Sequence, residues 1–181
     1  MQGIGSVLGL VLGGALTGAG TIIVGPGASL TLAANFTNPD VNIVLNGGSL
    51  FLNGTSGSFG SLSITGNSIL DFGNSANSTL NSTNLSLGAG ITLAINNWTD
   101  RNDAFYAQTF TGAVTDLRGS TPMNQITFAG NSNSSTVWQS YDHQVTPAPE
   151  PATYGAIFMG GALGLLFWRR RKKSAAPATV A

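Results

Sequence analysis

The chain has 181 residues, of which 42% are hydrophobic, only 8% are charged and 25 are glycine. Five of its seven basic residues stand together at residues 169–173, so the part before them carries two basic and seven acidic residues, a net charge of −5. This charge argues against nucleic-acid binding, which requires basic groups, and the absence of cysteine excludes disulfides and thiolate chemistry. Asn, Ser, Thr and Gly between short β-branched runs predict an all-β, exported protein.

The N-terminus contains no convincing export signal. Residues 7–16 have the composition of a signal-peptide core, with Gly and Ala near a cleavage site, but no basic residue precedes them. We therefore favour the alternative that these residues form another coil of the repeat that follows. On that interpretation the chain is the C-terminal end of a longer repeat region.

Residues 20–97 repeat with a period close to 20. Two registers can be followed: Ile22, Ile43, Ile64 and Leu85 are each 21 residues apart, and Leu32, Leu52, Phe72 and Leu93 are 20, 20 and 21 apart. Such a period in an all-β sequence predicts a parallel β-solenoid in which like residues stack in interior columns. The alternative is a β-sandwich of hairpins, which strands at intervals of about 8–12 residues would also suit.

The turns between the predicted strands are rich in asparagine. This residue tolerates left-handed backbone dihedrals and can form hydrogen bonds along a stack. We expect these roles for Asn46, Asn53, Asn67 and Asn96.

The phrases that repeat have the form Gly-x-Ser/Thr-Leu-x-Leu, for example at residues 27–32, and they include residues 16–21 and 87–93. They resemble the autotransporter-associated β-strand repeat of large bacterial surface proteins. The resemblance covers about half the chain and implies a parallel β-helix. We assign residues 1–97 to a short right-handed parallel β-solenoid.

Residues 98–146 lose the period and hold most of the aromatic residues. Strands are predicted at residues 105–110, 125–129 and 136–139. Because an open solenoid end exposes unpaired backbone and apolar core, we expect this segment to form an aromatic cap. The alternative is a sugar-stacking surface built on Trp98 or Trp138.

Few residues of the body suggest catalysis or metal binding. His143 is the only histidine and follows Asp142, but no matching serine motif exists, and we expect it to be an exposed linker residue. Asp100 and Asp103 flank Arg101 and are a weak candidate for calcium, without the acidic density of an EF-hand loop. We expect no enzymatic activity, no catalytic residue, no metal and no cofactor. A polysaccharide lyase or hydrolase would need clustered acidic or basic residues on one face.

The C-terminal segment has the pattern of a membrane anchor. Prolines 147, 149 and 151 keep the chain extended, and residues 152–168 then contain no charge. At ~1.5 Å per residue, a helix of this length spans about 26 Å, the short end of what a bilayer accepts. Gly160 and Gly164 form a G-x-x-x-G pair, which predicts helix packing, although small residues are common in membrane helices. A basic stop follows, formed by Arg169, Arg170, Arg171, Lys172 and Lys173. Basic residues favour the cytoplasmic side.

The order of these features resembles the PEP-CTERM sorting signal of Gram-negative bacteria. The resemblance covers residues 147–173, with a cytoplasmic tail at 174–181. It implies that Pro149, Glu150 and Pro151 are recognised by an exosortase, a membrane-embedded cysteine transpeptidase. It further implies an inner-membrane-anchored precursor that is cleaved near the triplet, then released or attached at the envelope, often in organisms that make exopolysaccharide.

We therefore predict a non-enzymatic, exported surface or extracellular-matrix protein. Its expected partners are the exosortase, the membrane and exopolysaccharide, with no nucleic acid. The alternative is an adhesin or carbohydrate-binding module that acts through the solenoid face or the aromatic cap.

Overall fold

The chain divides into two compact units, Met1–Ala148 and Pro149–Ala181. The computed structural model describes residues 9–12, 17–74, 77–110, 117–118, 121–130, 135–148 and 165. All of these except Leu165 belong to the first unit.

The described part of the first unit consists of short strands and one 3₁₀ turn, Met123–Gln125. The strands are β1 (Gly9–Leu12), β2 (Gly20–Val24), β3 (Ser29–Leu32), β4 (Phe36–Asn38), β5 (Val41–Asn46), β6 (Ser49–Phe51), β7 (Ser56–Gly66), β8 (Ser68–Asp71), β9 (Thr79–Leu87), β10 (Leu93–Asn96), β11 (Ala104–Phe110), β12 (Leu117–Arg118), β13 (Ile126–Phe128), β14 (Thr136–Trp138) and β15 (Val145–Pro147).

Two parallel sheets form the body. The first sheet has the order β1-β3-β6-β8-β10-β13, and the second has the order β11-β9-β7-β5-β2, with β4 beside β7. The chain passes alternately from one sheet to the other and so winds through about five turns of a β-solenoid. This confirms the predicted all-β solenoid, whereas its right-handed winding stays a prediction.

The core lies between the sheets and is filled by alternate residues of each strand. In β5, for example, Val41, Ile43 and Leu45 are buried while the residues between them are only partly covered. Strand β3 of the other sheet contributes Leu30 and Leu32 in the same way. Because strand side chains alternate between faces, the spacing of apolar residues at every second position directs them all to one interior.

One interior column differs from the predicted one. Ile22 pairs with Ile43 as expected, but Ile43 then pairs with Leu62, and Leu62 pairs with Leu85. Ile64 lies instead beside Leu45. The intervals along this column are therefore 21, 19 and 23 residues, since the turns differ in length while the strands keep their pairing. The predicted position of Ile64 in this column, which was based on equal 21-residue spacing, is therefore wrong.

The second predicted column, formed by Leu32, Leu52, Phe72 and Leu93, is wrong at its last member, as the pairing of other residues in the same sheet shows. Leu30, Leu50 and Leu70 pair in register at 20-residue intervals, but Leu70 pairs with Ile95, which is 25 residues further on. Leu93 pairs with Ser68, so it does not follow Phe72. The longer connection between β8 and β10 shifts the phase of the repeat.

The long strands of the second sheet each contain a corner. In β7, Phe59 and Leu62 are buried, and the two residues between them are only partly covered. The same break occurs between Ala107 and Phe110 in β11. Strict alternation would not place two successive residues outside, so the strand bends at these points and gives each coil a third side.

Phe59 owes its position to a glycine. Phe36 pairs with Gly57 of the next coil, and the ring of Phe59 lies over this glycine and stacks on Phe36 with centroids 5.1 Å apart. A Cβ atom on Gly57 would come within 2.8 Å of both Phe59 and Leu32. The missing side chain therefore makes room for the aromatic ring.

Of the four asparagines predicted at turns, Asn67 connects neighbouring coils through its side chain. Asn67 Oδ1 accepts a hydrogen bond from the backbone N–H of Thr92 in the next coil at 2.9 Å. Asn53 adopts a left-handed φ of 51°, as expected. After β10 the left-handed residue is Asn97, with φ of 55°, and not the predicted Asn96.

The parallel sheets continue past residue 97, because β11 pairs with β9 and β13 pairs with β10. A small antiparallel sheet of β12, β14 and β15 then packs on the last coil, and we refer to it as the cap sheet. Trp138 is 3% exposed and its Nε1 donates to the carbonyl of Ala107 at 2.9 Å. Ala107 in turn donates its N–H to the carbonyl of His143 at 2.9 Å.

Among the described residues, no helix is long and apolar enough to span a membrane. The helix predicted at residues 152–168 lies outside the described residues, apart from Leu165.

Candidate functional site

Strand β15 leads directly into the predicted sorting motif. It pairs with β14 through Thr136–Pro147, Val137–Thr146 and Trp138–Val145. The backbone N–H of Ala148 then donates to the carbonyl of Ser135 at 2.7 Å. The next residue is Pro149, so no spacer separates the hydrogen-bonded part of the cap sheet from the triplet.

Gln144, the residue immediately before β15, is held on both sides. On one side, Gln139 donates its N–H to the carbonyl of Gln144 at 2.9 Å, which continues the pairing with β14. On the other side, Gln144 forms an antiparallel bridge with Tyr106 of β11. The side chain of Val145 is fully buried. The strand is therefore part of the folded body up to the start of the triplet.

β15 was not predicted from the sequence. We assigned Pro147 to a linker because of the prolines that follow it. The preceding Val145-Thr146 is β-branched, and proline is tolerated at a strand end where its nitrogen makes no ladder bond. These two features were the signal that could have revealed the strand.

The predicted recognition residues lie outside the described residues. This holds for Pro149, Glu150 and Pro151, for the glycine pair Gly160 and Gly164, and for the basic stop at residues 169–173. The roles assigned to them stay predictions.

His143 is a turn residue of the cap sheet and not an exposed linker residue, so that expectation was wrong. It has a left-handed φ of 62° and is half-buried, with its ring 6.3 Å from that of Trp138. Its Nδ1 atom is buried without a hydrogen-bond partner. Asp142 is engaged locally, since Oδ1 accepts the N–H of Gln144 at 3.0 Å. The pair is thus placed to shape the turn before β15.

The two aspartates considered for calcium have structural partners. Asp103 is 3% exposed, and its two carboxylate oxygens accept the N–H groups of Ser78 and Thr99 at 2.9 and 2.7 Å. Asp100 Oδ1 accepts the indole N–H of Trp98 at 3.0 Å. The described residues contain no group of three or more His, Cys, Asp or Glu that could hold a metal ion.

The two tryptophans considered for sugar stacking are packed into the body. Trp138 is buried against the last coil. Trp98 is half-buried, and its ring meets the rings of Phe72 and Phe128 edge-on, each at 5.0 Å. Trp138 offers no ring face to a ligand, so the sugar-stacking alternative built on it is not supported.

Neutral polar side chains form rows on the outside of the second sheet. One row, in register across four coils, consists of Thr37, Ser58, Asn81 and Tyr106. A second row at the corner is linked by hydrogen bonds: Ser61 Oγ donates to Asn42 Oδ1 at 2.8 Å. In the same row, Thr109 Oγ1 donates to Asn84 Oδ1 at 3.0 Å. This surface is uncharged and hydrogen-bonding.

Comparison with known families locates one match. The PEP-CTERM protein-sorting motif matches residues 147–172. The chain carries a PEP-CTERM sorting motif. The match includes the triplet at 149–151, and the motif implies an exported protein whose membrane-anchored precursor is sorted by the exosortase pathway. No curated protein and no solved structure matches the chain.

The autotransporter-associated repeat is not among the matches, so that resemblance stays a prediction. The coarser prediction, a β-solenoid, does not depend on it, since the parallel pairing of the strands establishes the fold.

Proposed function

We propose that this protein is a non-enzymatic component of the cell surface or extracellular matrix, delivered by exosortase processing at Pro149, Glu150 and Pro151. The observation that carries the proposal is the sorting motif at residues 147–172, which overlaps the last two residues of the first compact unit, Met1–Ala148. In this arrangement the solenoid is the delivered part and the C-terminal segment is the membrane anchor and address.

The chemistry of the body supports a structural role. The buried carboxylate of Asp103 and the buried hydroxyl of Ser78 are used in hydrogen bonds that join successive turns. Outside the basic stop, Arg101 and Arg118 are the only basic residues in the sequence. A lyase or hydrolase that acts on acidic polysaccharide would need more charge than this on one face.

Replacement of Glu150 tests the proposal. Glu150 is the only acidic residue in the predicted linker, so we expect the enzyme to recognise its charge. In a host that carries an exosortase, Glu150→Gln should block maturation and Glu150→Asp should leave it partial. The readout is the mass of the protein recovered from the envelope. Efficient loss of the tail in the Gln variant would show that the triplet is only a stiff spacer.

A second candidate function is glycan binding. The row from Thr37 to Tyr106 favours it, because hydroxyl and amide groups with one aromatic ring suit a neutral carbohydrate. A glycan array probed with the protein released from the envelope separates the two functions. Binding that is lost in Tyr106→Ala supports an adhesin, and an array without signal supports a purely structural component.

A further inference from the structure

The cap sheet leaves very little free chain in front of the predicted membrane segment. Ala148 is the last residue with a described backbone hydrogen bond, to Ser135, and the apolar run begins at Ala152. Only residues 149–151 lie between them. Even fully extended, three residues span about 10 Å. These same three residues are the proposed recognition triplet.

This short distance matters for an enzyme that must surround the triplet. Proteins that bind a chain segment commonly do so with the segment extended and accessible along its backbone. Here the residues before the triplet are paired with β14 on one side and bridged to β11 on the other. A membrane-embedded enzyme would meet the folded cap sheet within one residue of Pro149.

β15 is the strand whose release would relieve this restriction. It has three residues and forms the edge of the cap sheet, with β14 as its only strand partner in that sheet. None of the parallel pairs of the solenoid involves β15. Its release would therefore leave the two large sheets intact, which is typical of a local opening. At ~3.3 Å per residue, release of residues 145–148 would free about 13 Å of chain.

We propose that β15 is a releasable part of the sorting signal: it is paired with β14 in the free precursor and separates from it when the processing enzyme binds the triplet. The inference rests on the proposed function, since it concerns the enzyme that the triplet serves. It adds that residues 145–148 must leave the cap sheet for cleavage to occur.

A disulfide across β14 and β15 tests the inference, because the natural chain has no cysteine. Val137 and Thr146 pair directly, and opposed residues in a hydrogen-bonded antiparallel pair have Cα atoms about 5.5 Å apart, within the range of disulfides. The test variant is the full chain with Val137→Cys and Thr146→Cys. The matched control is Ser63→Cys with Ser86→Cys, which joins two solenoid coils whose hydroxyl groups lie 3.1 Å apart.

Both variants are expressed with an exosortase, and the processed fraction is measured by mass under oxidising and reducing conditions. We expect the oxidised β14–β15 variant to keep its tail, the same outcome that we expect for Glu150→Gln, and to lose it after reduction. The oxidised control should be processed like the parent. Normal processing of the oxidised β14–β15 variant would overturn the inference. If the parent itself kept its tail, the proposed function would fail instead.

A flexible insertion tests whether the disulfide acts by limiting the length of free chain before the triplet. Gly-Ser-Gly-Ser between Ala148 and Pro149 supplies about as much chain as the release of β15, ~13 Å. We expect this insertion to restore processing of the oxidised variant. If processing stays blocked, the disulfide acts other than by restricting reach, and the inference is wrong in that form.

Discussion

The ring of Phe59 stacks on that of Phe36 with an interplanar angle of 27°, although the residue that pairs with Phe36 in the sheet is Gly57. The ring fills the space above the glycine. The side chain of Phe59 thus occupies the space left by Gly57, two residues earlier in the strand. This keeps the interior of the coil closely packed at this corner.

We predict that Gly57→Ala destabilises the protein by about 1–3 kcal/mol, the usual cost of overpacking a core. The new Cβ atom would lie 2.8 Å from atoms of Leu32 and Phe59. Denaturant unfolding measures the change. The control is Gly20→Ala, because a Cβ atom at Gly20 has no neighbour within 4 Å. Combining Gly57→Ala with Phe59→Leu should recover part of the loss, and a purely additive result would contradict the proposed contact.

Leu62 tests the interior column. It is 1% exposed and lies between Ile43 and Leu85 of the neighbouring coils. We expect Leu62→Ala to lower the free energy of unfolding by about 2–5 kcal/mol, as for other buried leucines. Ile23→Ala is the control, since Ile23 is 68% exposed, and it should change stability by no more than about 0.5 kcal/mol. Equal effects of the two changes would contradict the register.

Asp103 tests the polar link between coils. Asp103→Ala removes the acceptor of the Ser78 N–H, and Ser78 is fully buried. A buried donor without a partner costs about 1–3 kcal/mol, and thermal unfolding should show a loss of this size. Asp103→Asn keeps one oxygen and should lose less. Asp100→Ala, at an exposed position, is the control, and a larger effect there than at Asp103 would be inconsistent with the structure.

The basic stop predicts membrane topology. We expect residues 169–173 on the cytoplasmic side and the body of net charge −5 outside, because basic residues are retained in the cytoplasm. A reporter that works only in the cytoplasm should therefore be active when it is fused after Ala181. Replacing the five basic residues with serine should weaken this preference. If a reporter that works only in the periplasm is active at the same position, the predicted topology is wrong.

The solenoid could be predicted from the sequence because parallel stacking imposes a period on the apolar residues. Ile22 and Ile43 pair at the predicted interval, and in the other sheet Leu30 and Leu50 pair at an interval close to the predicted period of 20. The register of Ile64 could not be predicted, since the stack fixes which strands pair but allows each turn its own length. A count of residues therefore loses the register after a few coils.

The cap sheet was harder to predict because its order comes from tertiary contacts. Trp138 is buried in the core, where its indole N–H donates to the carbonyl of Ala107. No period in the sequence links these two positions. The same limit applies to β15. Its pairing with β14 overrides the tendency of a proline-rich stretch to be a linker.

The closure of one solenoid end by the cap sheet has a consequence for the number of coils. Each coil pairs only with the coils before and after it, so the stability of such a stack is close to a sum over neighbouring units. Duplication or deletion of a coil between β3 and β9 would preserve the pairing of the remaining strands, as well as β14, β15 and the motif after them. The number of coils can therefore change without altering the junction between the cap sheet and the sorting motif.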